Sequence, residues 1–256
     1  MAQHISDRLA ASYRFPRHPQ LYLKIATGPL RQHIRRAACK VLPSPVRGNE
    51  AGVADVSDRF DQSAKSYREN GWAYVEEFWP KPFHELLIQQ WPPDRYFDPL
   101  RFVTKSYDSG FDWGVQMESD PHVLSEFPVF KAAYKYLRSE GFCRRLTQLS
   151  GDGIERLCYQ IRMTRSYWGS SIVPHIDSSN TLGSINLVSF IDGSGGPNGG
   201  GLGFWRDNEF KEEIFSPMRL HNTAVLYDMT KDFFHGFKPM RFGTFRWTIN
   251  STYRAK

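Results

Sequence analysis

The chain has 256 residues and a mass of 29.7 kDa, which suits one domain plus an extension and is enough to bury a sizeable core. Aromatic residues make up 15% of it, which excludes a disordered chain, and the absence of any run of 18 apolar residues excludes a membrane-spanning helix. The net charge of +6 is unevenly placed: residues 1–47 hold nine Lys or Arg against one acid, Asp7, leaving the remainder at −2.

Residues 1–50 therefore read as a basic extension. Within it, residues 29–42 predict a short amphipathic helix, entered at Gly28-Pro29 and ended at Pro43. Leu30, Ile34, Ala37, Ala38 and Val41 line one side, and Arg31, Arg35, Arg36 and Lys40 the other. Packing on the body and lying on an anionic membrane surface both fit this pattern. A cleaved organelle-targeting segment is the lesser reading, and no secretory signal is expected. Cys39, Cys143 and Cys158 have neither disulfide nor zinc spacing, which points to a reducing compartment. The expectation is a cytoplasmic chain, with peripheral membrane contact through residues 29–42 left open and no oligomeric state specified.

Residues 51–256 read as one domain, with helical support over 51–150 and a β-rich core over 151–256. Pro43, Pro45, Gly48 and Gly52 mark the linker. Residues 55–70 are compatible with a helix stopped by Gly71. Trp72 to Phe78 predicts a strand and Phe83 to Gln90 a helix that ends before Trp91-Pro92-Pro93. Residues 94–120 read as aromatic-rich loop. Phe127 to Leu149 is helical, as two helices broken at Gly141. Six strands follow: 157–163, 184–191, 202–205, 223–227, 233–237 and 245–251. Turn residues space them as in an antiparallel sandwich, so the fold class is mainly β, of the jelly-roll kind, with N-terminal helices.

His175, Asp177 and His235 carry the chemistry. His175 and Asp177 are i and i+2, so they share one face of an extended chain. Two His and one carboxylate form the facial set that holds non-haem Fe(II) and leaves coordination positions open. With 8 His and 27 acids, about 0.8 His-x-acid matches arise by chance, so context decides. Pro174 precedes His175. A strand, a Gly-rich turn and a further strand ending at Asp228 then lead to His235 in its own aromatic strand. Arg246 lies eleven residues beyond, with Thr248 at i+2, and an Arg with a hydroxyl on the same strand face can clamp a carboxylate.

These residues, with Gly71-Trp72-Ala73-Tyr74-Val75, Gly199-Gly200-Gly201, Ala224-Val225-Leu226-Tyr227 and Gly243-Thr244-Phe245-Arg246, make residues 70–256 resemble the Fe(II)/2-oxoglutarate-dependent oxygenases, in the prolyl 4-hydroxylase-like branch. The resemblance implies a double-stranded β-helix. It also implies that His175, Asp177 and His235 bind iron, and that Arg246, assisted by Thr248, binds the distal carboxylate of 2-oxoglutarate. A Tyr on the strand before the His-x-Asp motif contacts the cosubstrate in that branch; Tyr159, Arg162 and Tyr167 are the alternatives here. The implied activity is hydroxylation of an amino acid, peptidyl residue, sugar or glycolipid, or small metabolite. It consumes O₂ and releases succinate and CO₂, with ascorbate as a further candidate cofactor. Asp177 stands where halogenating members of the superfamily have a small residue and bind chloride.

Two other readings remain. Alkylation-repair oxygenases of nucleic acid carry a second Arg six residues after the first, whereas here Arg254 is eight after Arg246 and the body is not basic. A jelly-roll binding module without the reaction is the non-enzymatic alternative. The seven glycines between Asp192 and Gly203 lack the GK[ST] of a phosphate loop and read as a hairpin turn. Trp113, Tyr167, Trp168 and Trp205 read either as pocket lining or as ordinary core and rim aromatics. Asp228 reads as a neighbour of the metal or as an exposed strand-end acid, and His221 as a loop residue. His4, His18, His33, His84 and His122 are assigned no chemistry.

Overall fold

A computed structural model describes residues 56–103, 108–117, 121–177, 183–194 and 199–256. The basic extension, and with it the amphipathic segment 29–42, lies outside the described residues. Helix α1 (Ser57–Asn70) ends at Gly71, whose φ of 80° lets its N–H return to the Tyr67 carbonyl. Strand β1 (Trp72–Glu76) follows, then α2 (Lys81–Gln89).

The segment read as loop over 94–120 instead holds a short 3₁₀ turn and an antiparallel pair, β2 (Asp98–Val103) and β3 (Asp108–Gln116). Its glycines and acids hide the strand signal, because its pairing partners come from β4 (Arg156–Ser166) and β5 (Ser171–His175), far along the chain. A short helix, α3 (Pro121–Glu126), precedes the stretch read as helical, which is two helices as expected: α4 (Pro128–Leu137) and α5 (Glu140–Ser150). The break falls at Ser139 and not at Gly141, because the Ser139 hydroxyl caps α5 by accepting from the Phe142 N–H. Gly141 sits inside that helix.

The remaining strands are β6 (Ile185–Gly193), β7 (Gly203–Trp205), β8 (Glu213–Phe215), β9 (Thr223–Asp228), β10 (Phe234–Phe237) and β11 (Arg246–Ala255). All pairings are antiparallel, in the order β1-β9-β6-β11-β4-β3-β5-β10-β7-β8, with β2 beside β3. The chain thus forms a jelly roll. Strands β1, β9, β6, β11 and β4 make the larger half, β5, β10, β7 and β8 the smaller, and β3 links them.

Side-chain alternation gives the larger half two different faces. On β6, Leu187 and Ile191 pack with α1, α2, α4 and α5, whereas Val188 and Phe190 point into the roll. On β9, Ala224 and Leu226 face the helices while Val225 and Tyr227 face inward. Phe204 of β7 meets Tyr227 across the roll at 5.4 Å between ring centroids. The helices therefore cover one face of the larger half, and the smaller half covers the other.

Leu187 is fully buried on the helical face. Leu187→Ala should lower stability by about 2–5 kcal/mol, read as a lower urea midpoint with an unchanged slope. A shift below about 1 kcal/mol would show that this face does not carry the core.

Candidate metal centre

His175 closes β5 and His235 sits in β10 directly opposite it. Their ring centroids are 4.4 Å apart. This approach depends on Gly236: a Cβ there would lie inside van der Waals contact of the Ile172 carbonyl oxygen and 3.0 Å from the Pro174 nitrogen. Any side chain at 236 would push β10 away from β5 and separate the two imidazoles.

Asp177 follows just beyond the end of β5. Its Oδ1 lies 3.5 Å from His175 Nε2 and its Oδ2 3.4 Å from His235 Nε2. His175 Nδ1 donates to the Val173 carbonyl at 2.9 Å, which turns its Nε2 toward Asp177. Burial alone would raise the Asp177 carboxyl, yet the two imidazoles bonded to it hold it well below the usual carboxylate range. Burial pushes His235 below its ordinary value against the pull of Asp177.

The set thus brings a carboxylate held ionised and two imidazole Nε2 atoms to one point, the donor types a metal requires. One donor atom from each residue lies within 4.8 Å of the others. An ion about 2.1 Å from each would set neighbouring donors about 3 Å apart, close to the spacing found. The set fits non-haem iron and leaves positions for other ligands.

The inner surface beside this set is polar and buried. The Tyr227 ring packs tilted against the His235 ring, 4.9 Å between centroids, and its hydroxyl accepts from Asn186 Nδ2 at 2.7 Å. Thr252 donates to Asn186 Oδ1 and accepts from Gln160 Nε2, each at 3.4 Å. Further down, the Thr164 and Thr248 hydroxyls are 2.6 Å apart. Arg246 begins β11, 5% exposed, with its guanidinium 3.9 Å from the centre of the Phe237 ring. Phe237 is two residues from His235 on one strand face, so the guanidinium over it lies about 7 Å along the strand from His235.

The other residues singled out in the sequence divide clearly. Thr248 shares the inner face with Arg246. Arg162 shares the inner face with Thr164 and Ser166 by strand alternation. Tyr159 is not brought to the site: it is half exposed, with the Arg254 guanidinium 3.7 Å above its ring. Tyr167 also points away, donating to Asp94 Oδ1 at 2.6 Å beside Arg165. Trp168 is a half-exposed partner of Phe242, and Trp205 is buried against Phe210. The Trp113 side chain lies outside the described residues. Asp228 accepts from the Thr230 N–H and hydroxyl in a turn. His221 bonds Asp192 at 3.0 Å, and His84 donates to the Ile191 carbonyl at 2.6 Å, both away from the metal set.

Sequence reasoning missed Asp112, Ser166, Thr164 and Asn186. The inward parity of Thr164 and Ser166, two and four residues past Arg162 on β4, was the available signal for two of them; Asp112 gave none.

No family model and no curated protein matches the chain by sequence. Solved structures do match by shape. One is an oxidoreductase of the 2OG-Fe(II) oxygenase family from Burkholderia pseudomallei, 16% identical, with a TM-score of 0.55 over 82% of this chain and 93% of that one. Another is a prolyl hydroxylase from Trichoplax adhaerens in complex with a hypoxia inducible factor peptide fragment, at 15%, 0.56, 78% and 90%. A third is a prolyl 4-hydroxylase from Phytophthora capsici, at 12%, 0.58, 83% and 70%. At these identities the common property is the fold, and the chain has the fold of the 2-oxoglutarate and iron(II) oxygenases.

Two tests follow from the donor geometry. His175→Ala, Asp177→Ala and His235→Ala should each abolish anaerobic Fe(II) binding; retained affinity in two of the three would remove the assignment. Gly236→Ala keeps every donor and should still weaken Fe(II) binding by about ten- to hundredfold; wild-type affinity would show that the β5–β10 approach does not set the site.

Proposed function

We propose that the protein is an Fe(II)/2-oxoglutarate-dependent dioxygenase that hydroxylates a C–H bond of an amino acid, peptidyl residue, sugar or glycolipid, or small metabolite, with release of succinate and CO₂. The observation that carries this reading is the convergence of His175, Asp177 and His235 on one point inside a jelly roll whose inner face also bears Arg246.

His175, Asp177 and His235 would hold the iron, which when bound supplies the activation of O₂ that side chains lack. The chain's own residues do the rest. The Val173 carbonyl fixes the His175 tautomer, so its Nε2 stays available as a ligand. Tyr227, packed on the other imidazole, holds the His235 ring in place. Arg246 offers a desolvated guanidinium to the distal carboxylate of the cosubstrate, and Thr248 adds a hydroxyl two residues along the same face. Arg162, further along that inner face, remains the candidate from the strand before His175. The buried walls of Val188, Phe190, Phe204 and Val225 exclude water from the reacting centre.

Arg254 lies over Tyr159 at the far end of β11, so the inner face carries no second arginine from that strand, which favours this reading over a nucleic-acid demethylase. The ionised Asp177 fills the ligand position that halide would need, which favours oxygen transfer over halogenation.

The test is iron-dependent formation of succinate from 2-oxoglutarate, followed by mass analysis of cell extract for products that gain one oxygen atom. Failure of iron-loaded protein to form succinate under any condition would leave the non-catalytic module standing. Arg246→Ala should raise the 2-oxoglutarate requirement roughly ten- to hundredfold, and Arg246→Lys less, since it keeps the charge and loses the fork; an unchanged requirement in the Ala variant would sink this role. With a substrate in hand, turnover in high chloride should yield hydroxylated product, and a chlorinated one would refute the role given to Asp177.

A further inference from the structure

Arg246 already has a carboxylate partner in the protein itself. Its Nη2 donates to Asp112 Oδ2 at 3.0 Å, its Nε to Ser166 Oγ at 3.1 Å and its Nη1 to the Gly200 carbonyl at 2.6 Å. The Ser166 hydroxyl donates in turn to the same Asp112 oxygen at 2.9 Å. Asp112 is 1% exposed and Ser166 wholly buried. The backbone fixes this arrangement. Strand β3 pairs with β4 at Gly114–Thr164 and with β5 at Phe111–Ser171, so residue 112 sits where the two halves of the roll meet, level with Ser166. A guanidinium has five N–H groups, and two of those on Arg246 have no bond among the described residues.

We propose that Asp112 is a specificity-determining residue for the cosubstrate. It competes with the distal carboxylate of 2-oxoglutarate for the charge of Arg246, and so sets how strongly the site prefers a 2-oxo dicarboxylate to a 2-oxo monocarboxylate. This inference rests on the cosubstrate reading above. Arg246 and Asp112 together are neutral. A second carboxylate brought to the two remaining N–H groups leaves one uncompensated negative charge among buried groups, where charge interactions are several times stronger than in water. A 2-oxo acid without the distal carboxylate meets no such penalty. A purely structural ion pair predicts the opposite sign for its removal, since loosening Arg246 would weaken every ligand that uses it.

The experiment uses the full chain loaded with Mn(II), titrated by calorimetry with 2-oxoglutarate and with 2-oxobutyrate, for wild type, Asp112→Asn and Asp112→Glu. Asp112→Asn should bind 2-oxoglutarate about tenfold tighter or more while binding 2-oxobutyrate within about twofold of wild type. Asp112→Glu, which keeps the charge, should resemble wild type with both. The Asn variant should melt at lower temperature alone and gain more than wild type on adding 2-oxoglutarate. Unchanged or weaker 2-oxoglutarate binding by Asp112→Asn, or equal tightening of both acids, overturns the proposal. Should the variant not fold, wild type still decides. Its preference for 2-oxoglutarate should fall below about tenfold, whereas an unshared arginine contact would give ten- to hundredfold; a hundredfold preference overturns the proposal. Mn(II) binding without any 2-oxo acid binding, in wild type or variant, sinks the cosubstrate reading and this inference with it. Binding of 2-oxoglutarate with the wrong sign for Asp112→Asn sinks this inference alone.

Discussion

The structure depends on a single packing constraint: strands β6, β9 and β11 are buried on both faces, and the two faces meet different partners. On one side they meet helices through Leu187, Leu226, Ile249 and Tyr253. On the other they meet the smaller half of their own sheet. A strand with two apolar faces would satisfy burial equally well. This chain instead sets Asn186, Thr252, Thr248 and Arg246 on the inner face, all buried. Each such group costs stability unless bonded, and each has a partner from a neighbouring strand: Tyr227, Gln160, Thr164 and Ser166. The polar lining is thus part of the sheet's own satisfaction and at the same time the chemical surface of the roll.

That lining is ordered along the strands. The candidate donor set lies on the smaller half near Tyr227, and the Arg246 guanidinium lies about two residues deeper, over Phe237. A bifunctional acid spanning the two would have one end at the donor set and the other at Arg246. The floor of this slot is not an open cation, however. Arg246 is neutralised by Asp112 from β3, the strand that joins the halves. The same carboxylate that makes a buried arginine tolerable in the absence of ligand lowers its pull on any anion that arrives. Stability of the unliganded protein and affinity for a dicarboxylate are therefore set against each other at one residue.

Much of this was legible in the sequence, and the exceptions share a cause. Six of the strands after residue 150 were readable as apolar runs between turn residues, whereas β5 (Ser171–His175) and the three-residue β8 (Glu213–Phe215) were not. The cluster of His175, Asp177 and His235 was readable because His175 and Asp177 are two apart and His235 falls in a short aromatic strand. The β2–β3 pair was not, since Asp108–Gln116 contains Gly110, Gly114 and two acids, and becomes a strand only through partners near residues 164 and 172. Asp112 was invisible for the same reason: nothing local distinguishes it from an exposed loop acid. Tyr159 and Tyr167 were plausible by type alone. Tyr159 falls at the irregular register between β4 and β11, where Cys158 and Gln160 face Tyr253 and Thr252, and its exposure follows from that extra residue. Tyr167 lies one residue past the end of β4 and turns outward to Asp94.

The geometry at residue 246 also explains why its side chain is a fork and not a point charge. Its three bonds run to Asp112 on β3, Ser166 on β4 and the Gly200 carbonyl in the turn before β7. These partners come from three separated parts of the chain, and each takes a different nitrogen. A planar guanidinium serves all three while its face lies on Phe237, with little side-chain freedom left to lose. An ammonium at the same place could keep the Asp112 contact only by leaving Ser166 or Gly200 without a donor, and a buried carbonyl stripped of its partner is costly. The turn that contributes Gly200 is itself held close, since a Cβ on Gly199 would meet the Pro239 carbonyl oxygen at 2.7 Å. The glycine run that reads in sequence as a flexible hairpin is therefore, at Gly199–Gly200, a close-packed wall whose backbone oxygen forms one side of the arginine pocket.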